Sequence, residues 1–151
     1  MGLFQSFDIC ATGLTAQRFR MDVIAENIAN VSTTRTADGD AYRRKMVTFQ
    51  EKNTHPTFGS YLKNSFYAYG TQFHGNGVKV VEVSEDFETD YVMEYDPSHP
   101  DADENGYVRY PNVNTVQEMT DLIDASRSYE ANTTAFNAMK AMAQNALSIG
   151  G

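Results

Sequence analysis

The sequence predicts an α+β fold: long N- and C-terminal helices pair as an antiparallel coiled coil, and a small irregular β module is inserted between them. Apolar residues recur at helical spacing near both ends of the 151-residue chain, and the middle alternates in short β-like runs. Residues 1–34 and 112–151 then form one discontinuous helical assembly domain. Residues 35–111 form a central β-rich domain that contains an irregular loop at about 53–76.

The first helix is predicted over residues 3–31, where apolar side chains recur in steps of four and three residues. This is the spacing of positions a and d in a coiled coil, and Gln17 is its polar interruption. We call the apolar residues of this series the N-terminal seam: Leu3, Phe7, Cys10, Leu14, Met21, Ile24, Ile28 and Val31.

Between the helices, short β-like runs alternate with turn chemistry. The runs cover residues 42–50, 77–85, 91–95 and 107–110. Polar turn residues fill 30–40, and a turn region with two prolines fills 96–106. Residues 53–77 are rich in aromatic side chains but follow neither period, so they predict a long loop or irregular hairpin.

The second helix is predicted from Thr115 to about Ser148, where Gly150 and Gly151 end it. Thr115 and Glu118 have the spacing of a capping box, in which each side chain accepts from the other residue's backbone N–H. The apolar series of this helix is interrupted by polar residues and is weaker. We call it the C-terminal seam: Met119, Leu122, Tyr129, Phe136, Ala143 and Leu147.

The charge of the chain limits its partners. A formal net charge of −8 argues against a nucleic-acid backbone, which requires a basic face. Acidic residues run from Glu82 to Glu104 without Lys or Arg, which indicates a solvated acidic face. The basic cluster Arg43, Arg44 and Lys45 indicates a solvated face or the guard of a strand edge, with docking to an acidic neighbour as the alternative.

The N-terminus lacks the features of a secretory signal, and the apolar runs are too short to cross a membrane. Residues 101–106 match the opening of an EF-hand loop, but Asn112 occupies the position that requires a bidentate carboxylate. His55, His74 and His99 lack ligand spacing, and no nucleophile elbow is present. We therefore expect no catalytic residue, no metal and no cofactor.

A lone pair of these helices is only marginally stable, because the burial of the apolar seam is offset by the backbone entropy lost on ordering about 30 residues. Small alanines on the other faces permit further helices to approach closely. This pattern suits tightly stacked subunits, and head-to-tail contacts that do not close into a ring produce helical filaments.

The end of the first helix carries the pattern N-x-A-N-x-x-T, formed by Asn27, Ala29, Asn30 and Thr33. Together with residues 42–45, 95–102, 106–108, 111–114 and 118–132, this pattern resembles the bacterial flagellar basal-body rod proteins, in particular the proximal-rod type. The general pattern is shared by axial proteins of the flagellum, whereas residues 118–132 are more specific.

The resemblance implies a structural subunit, not an enzyme, that polymerises with other axial proteins into the proximal rod. That rod is the drive shaft that connects the membrane ring to the distal rod and hook. The implied partners are other proximal-rod proteins, copies of the chain itself, the membrane-ring adaptor protein of the rod, the distal-rod protein and the flagellar type III export apparatus. Neither nucleic acid nor a small-molecule substrate is implied.

The implied location is the flagellar basal body in the cell envelope, in the periplasmic space where an outer membrane is present. In this family the chain reaches that location without a cleaved signal peptide. Two alternatives stay open: another rod or hook-family axial subunit, and a cation-binding extracellular module that uses residues 82–104. A small hydrolase has no supporting constellation of residues.

Overall fold

The computed structural model describes residues 3–52 and 75–149, and its architecture confirms the α+β class. Most of the predicted loop at 53–76 therefore lies outside the described residues. The elements in chain order are α1 (Leu3–Ala29), β1 (Lys45–Glu51), β2 (Val78–Glu85), β3 (Val92–Tyr95), β4 (Tyr107–Tyr110) and α2 (Thr115–Ile149).

The strands form two separate antiparallel pairs, β1 with β2 and β3 with β4. In the first pair the register shifts between Thr48 and Phe49, whose partners are Glu82 and Val80. Val81 is thus the extra residue of a β-bulge, and such an insertion bends the strand and interrupts the ladder locally. The second pair is a hairpin whose strands are only four residues long.

β1 begins at Lys45, three residues later than the alternating run at 42–50 suggests. The reason is that the preceding backbone groups have other partners. The N–H of Tyr42 donates to the carbonyl of Thr33 at 3.1 Å, and the N–H of Arg44 donates to Oδ1 of Asn112 at 2.8 Å. These two hydrogen bonds connect residues 42–44 to neighbouring loops, so these N–H groups do not pair with β2.

A positive φ of 91° at Gly77 brings the start of β2 against α1. An added Cβ at this position would lie 2.1 Å from Oγ1 of Thr12, so only glycine fits. The same hydroxyl accepts a 3.2 Å hydrogen bond from the N–H of Val78. This contact sets the position of the first strand pair along the helix.

The buried core lies where the helix pair meets the segments that flank the strands. It is small, and several of its members are alanines or polar residues. The buried apolar residues are Ala16, Val23, Ile24, Ala41, Tyr42, Val108, Val113 and Ala125. Neither of the described helices has an apolar stretch that would suffice to cross a bilayer.

Candidate assembly site

The two long helices lie side by side, and their contacts run in opposite order along the chain. The helices therefore point in opposite directions, whereas their packing as a coiled coil stays a prediction. The contacting pairs, from the start of α1 to its end, are Phe7–Phe136, Gly13–Asn132, Arg20–Asp121 and Asn27–Glu118.

Every residue of the N-terminal seam whose side chain is described is buried or part-buried, from Phe7 through Val31. Leu3 lies within α1, and its side chain is outside the described part of the chain. Phe7 packs its ring edge-on against Phe136 with a centroid separation of 5.1 Å. The polar interruption, Gln17, has Oε1 buried without a hydrogen-bond partner among the described residues.

The C-terminal seam is less uniform. Its end residues, Met119 and Leu147, are 55% and 78% exposed, so in a single chain they lie outside the helix–helix contact. The fully buried positions of α2 belong instead to Glu118 and Ala125, which a search for large apolar residues misses. The part-buried seam residues are Leu122, Tyr129, Phe136 and Ala143.

A buried polar cluster joins the helix pair to the start of β1, and Asn27 of α1 is its centre. Asn27 Oδ1 accepts hydrogen bonds from the Tyr42 hydroxyl and the Lys45 N–H, both at 2.9 Å. Asn27 Nδ2 donates to the Lys45 carbonyl at 2.9 Å and to Oε2 of Glu118 at 3.0 Å. We call this cluster the polar joint: Asn27, Tyr42, Arg44, Glu118 and Asp121.

Both carboxylates of the polar joint are paired with Arg44, and Arg20 of α1 pairs with Asp121 as well. Glu118 is 1% exposed, and its Oε1 accepts a 2.6 Å hydrogen bond from Nε of Arg44. Arg44 also lies 3.6 Å from Asp121, which accepts a 3.1 Å hydrogen bond from Arg20 of α1. A buried carboxylate without these partners would be strongly destabilising. The joint therefore locks α1, α2 and the β1 start in one arrangement.

The environment of Tyr42 keeps its phenol protonated. Burial, with the nearby carboxylates of Glu26 and Glu118, raises the pKa of Tyr42 to about 12. The hydroxyl therefore remains a donor to Asn27 at any physiological pH.

Hydrogen bonds of Asn112 connect the polar joint to the segment between β2 and β3. The Asn112 side chain accepts from the Arg44 N–H and donates to the carbonyls of Asp86 and Thr89 at 3.0 and 3.1 Å. Hydrogen bonds from the N–H and hydroxyl of Thr89 hold the pKa of Asp86 below its ordinary value. Asn112 and Asp86 are both buried.

The predicted capping box at the start of α2 is wrong. Asn114 caps this helix: its Oδ1 accepts from the N–H groups of Val116 and Gln117 at 3.0 and 3.3 Å. Glu118 cannot reach back to the cap because both of its oxygens are held in the polar joint.

The expectation that the basic cluster is a solvated face or guards a strand edge is also wrong, whereas docking to an acidic neighbour stays a prediction. Arg43 packs over the rings of Phe87 and Tyr91, with its guanidinium carbon 4.6 and 4.3 Å from the centroids. Arg44 belongs to the polar joint, and Lys45 pairs with Glu26 at 2.5 Å. These cations are part-buried and hold internal contacts, whereas the pattern of consecutive charges suggested a free surface.

The residues of the N-x-A-N-x-x-T pattern lie together at the end of α1. Asn27 is the centre of the joint, and Ala29 is the last residue of the helix. Asn30 Nδ2 donates to the Glu26 carbonyl at 2.9 Å, and its Oδ1 accepts from the Thr33 hydroxyl at 3.1 Å. The pattern thus ends the helix and turns the chain toward Tyr42.

The acidic segment that resembles an EF-hand opening is a turn in the described chain. Asp103 Oδ1 accepts from the N–H groups of Asn105 and Tyr107, and Asp101 accepts from the Thr34 hydroxyl at 2.8 Å. Within residues 3–52 and 75–149, no group of three or more His, Cys, Asp or Glu could hold a metal ion. His55 and His74 lie outside the described residues.

Comparison with known proteins gives matches at both ends and over the whole length. Residues 7–35 match the family model described as flagella basal body rod protein, and residues 104–149 match that described as flagellar basal body rod FlgEFG protein C-terminal. The chain is 48% identical to flagellar basal-body rod protein FlgC of Borreliella burgdorferi over 154 aligned residues, which cover 99% of this chain and 98% of the relative.

Two further relatives carry the same name. FlgC of Bacillus subtilis is 47% identical over 154 aligned residues, and FlgC of Salmonella typhimurium is 39% identical over 150. Each alignment covers 99% of both chains.

Proposed function

Since the chain belongs to the FlgC family of flagellar basal-body rod proteins and is a structural subunit of the proximal rod, we propose that it works as a torque-bearing element of that shaft. It polymerises with other axial proteins and links the membrane ring to the distal rod and hook. Its location in the flagellar basal body follows from the family. The mechanism is stiffness, and no chemical step takes part.

The observation that carries this mechanism is the polar joint. Asn27, Arg44 and Glu118 come from α1, the segment before β1, and α2, and direct hydrogen bonds of 2.6 to 3.0 Å connect them. Buried, fully paired polar groups hold one geometry, because any displacement leaves a charge unpaired in a medium of low dielectric constant. Because the polar joint does not bend, a twist applied to the helices is transmitted to the β-rich part.

The seams supply the contacts between subunits in this proposal. Residues 1–34 and 112–151 act as the assembly domain in the inner tube, as an antiparallel coiled coil, and residues 35–111 form the outer β-rich domain. The exposure of Met119 and Leu147 supports this division, since each is a large apolar side chain that a single chain leaves in water. Neighbouring subunits bury them in the assembled rod.

The proposed partners are other proximal-rod proteins, copies of this chain, the membrane-ring adaptor protein and the distal-rod protein. The flagellar type III export apparatus delivers the chain without cleavage of a signal peptide. Where the cell has an outer membrane, the subunit lies in the periplasmic space. The chain acts on no substrate and uses no nucleic acid or cofactor.

Imaging of basal bodies after deletion of the gene tests the proposal. We expect assembly to stop at the membrane ring, with rod formation restored by the full-length chain. A chain that ends before Phe136 should fail to restore the rod, because it lacks the part of α2 that packs against the start of α1. Complete rods in the deletion strain, or with the shortened chain, would overturn the proposal.

A further inference from the structure

The turn between β3 and β4 is connected to the loop that follows α1 through the carboxylate of Asp101. Its Oδ2 accepts a 2.8 Å hydrogen bond from the hydroxyl of Thr34, 67 residues away in sequence. Its Oδ1 lies 3.7 Å from the guanidinium of Arg35, which is exposed and therefore adds little. We call the contacts of Asp101 with Thr34 and Arg35 the turn clasp.

The ring of His99 holds the backbone of Asp101 in this position. Its Nδ1 accepts a 3.1 Å hydrogen bond from the Asp101 N–H. A backbone N–H can only donate, so Nδ1 carries no proton and the neutral ring has its proton on Nε2. The ring is part-buried beside Tyr110 of β4, with centroids 6.4 Å apart. The observed arrangement of the turn clasp therefore requires a neutral His99.

Protonation at Nδ1 of His99 removes this acceptor. A proton taken from water occupies the lone pair that receives the Asp101 N–H, so two N–H groups then point at each other and the hydrogen bond is lost. Histidine is the side chain that changes charge between about pH 5 and about pH 8. Among residues 3–52 and 75–149, His99 is the one histidine.

The charged groups around His99 favour movement of a cationic ring. Its own turn contributes the carboxylates of Asp96 and Asp101, β4 contributes the phenol of Tyr110, and the loop after α1 contributes Arg35 on the far side of Asp101. An imidazolium is attracted to the two carboxylates, and it can donate to them once the ring has turned away from the Asp101 N–H.

Asp96 stays ionised while the ring changes charge. Hydrogen bonds from the hydroxyl and the N–H of Ser98, with the charge of His99 as a smaller cause, hold the pKa of Asp96 below its ordinary value. A negative charge is therefore present beside His99 at every pH at which the ring gains its proton.

The hairpin has other attachments at its base, and they do not involve His99. The hydroxyl of Tyr91 donates to the carbonyl of Ala41 at 3.1 Å, and Arg109 of β4 lies 3.7 Å from Asp40. Loss of the turn clasp therefore moves the tip of the turn and leaves the pairing of β3 with β4 in place.

We propose that His99 is a pH-sensitive switch of the turn clasp. Protonation at Nδ1 breaks the hydrogen bond from the Asp101 N–H, and the imidazolium then attracts the Asp101 carboxylate away from Thr34. Deprotonation restores the clasp. The switch lies within one chain, so it does not rest on the assembly role proposed above.

A titration of the purified full-length chain by nuclear magnetic resonance tests the switch from about pH 8 to about pH 5. We expect the amide resonance of Asp101 to shift with the same midpoint as the ring carbons of His99. Nuclear Overhauser effects between the Thr34 methyl group and the β-protons of Asp101 should be present at about pH 8 and lost at about pH 5. The amide resonances of α2 should keep their positions, which verifies that the chain stays folded.

His99→Asn is the variant that keeps the clasp closed. An asparagine side chain accepts from the N–H two residues further on and carries no charge, so the Thr34–Asp101 effects should persist over the whole pH range. His55→Asn removes another imidazole and is the control, in which the Asp101 amide should shift as in wild type.

The proposal is overturned by a His99 ring that stays neutral at about pH 5, by an Asp101 amide that does not follow the ring, or by Thr34–Asp101 effects that persist in wild type at about pH 5. An Asp101 amide that shifts equally in His99→Asn would also overturn it, because another group would then control the clasp. Each of these results leaves the assembly role intact.

Discussion

At the scale of single residues, Asn27 shows why an amide occupies the centre of the polar joint. Its carbonyl oxygen accepts two hydrogen bonds and its nitrogen donates two, so the whole side-chain capacity is used. A carboxylate could not donate to Glu118, and a leucine would leave the Lys45 backbone groups and the Tyr42 hydroxyl without these partners.

Asn27→Asp tests this role. The substitution replaces a donor to Glu118 by a second carboxylate oxygen about 3 Å away, so we expect a loss of about 3 kcal/mol in the free energy of unfolding. Urea denaturation followed by circular dichroism measures it. Asn137→Asp, the same exchange at an exposed position of α2, should change stability by less than about 0.5 kcal/mol. Equal effects at the two positions would contradict the role assigned to Asn27.

Asp86 makes part of the stability depend on pH. Its pKa is lowered in the folded chain by the hydrogen bonds from Thr89, so its contribution is present above the unfolded-state pKa of about 3.9. The contribution is lost as the pH falls through the lower folded-state value. The difference in unfolding free energy between wild type and Asp86→Asn should stay constant from about pH 7 to about pH 5 and shrink below about pH 4. A difference that grows on acidification would contradict this sign.

At the scale of elements, apolar periodicity together with turn and capping signals located both helices and the four described strands. The a/d spacing predicted a first helix to residue 31, and α1 ends at Ala29, where Asn30 and Thr33 turn the chain. Tyr107–Tyr110 was predicted with the bounds that the structure has. Such patterns succeed for α1 and β1 because each buries one face along its length, whereas β3 is exposed at all four of its residues.

The polar joint could not be predicted in the same way. Arg44 and Glu118 are 74 residues apart in sequence, and nothing local distinguishes them from surface charges. Glu118 even has the spacing of a capping residue, yet burial between two helices gives it different partners. Asn114 precedes Thr115 and is as good a capping residue, so the sequence alone does not decide which of the two caps α2. The contacts of Glu118 with Asn27 and Arg44 decide it, because they prevent the capping box.

Gly13 sets how closely the two helices approach each other. An added Cβ would lie 3.2 Å from side-chain atoms of Asn132, so a larger side chain would displace Asn132, whose Nδ2 donates to the Ser128 carbonyl. Gly13→Leu should cost about 1–3 kcal/mol of unfolding free energy despite the higher helix propensity of leucine. Ala11→Leu, two residues earlier and exposed, serves as the control in the same thermal or urea denaturation. A stabilised Gly13→Leu chain would contradict close packing at this position.

At the scale of the whole molecule, the chain is a small unit with incomplete burial. Its helices and strand pairs are joined by polar contacts, and large apolar side chains such as Val116, Met119 and Leu147 stay exposed. In the proposed rod, neighbouring subunits cover these exposed side chains, while polar contacts within each subunit hold its helices and strand pairs together. In the proposed mechanism, the stiffness of the shaft depends on helix pairing that persists inside the polymer.

Thiol crosslinking in isolated basal bodies tests that pairing most directly. In a Cys10→Ser background, Phe7→Cys with Phe136→Cys places two thiols where the packed rings have centroids 5.1 Å apart. We predict that a short bifunctional thiol reagent joins the two positions within one chain, so denaturing gels show a crosslinked monomer. Rods from motile cells that give crosslinked dimers, or no crosslink, would contradict pairing of the two ends of each subunit.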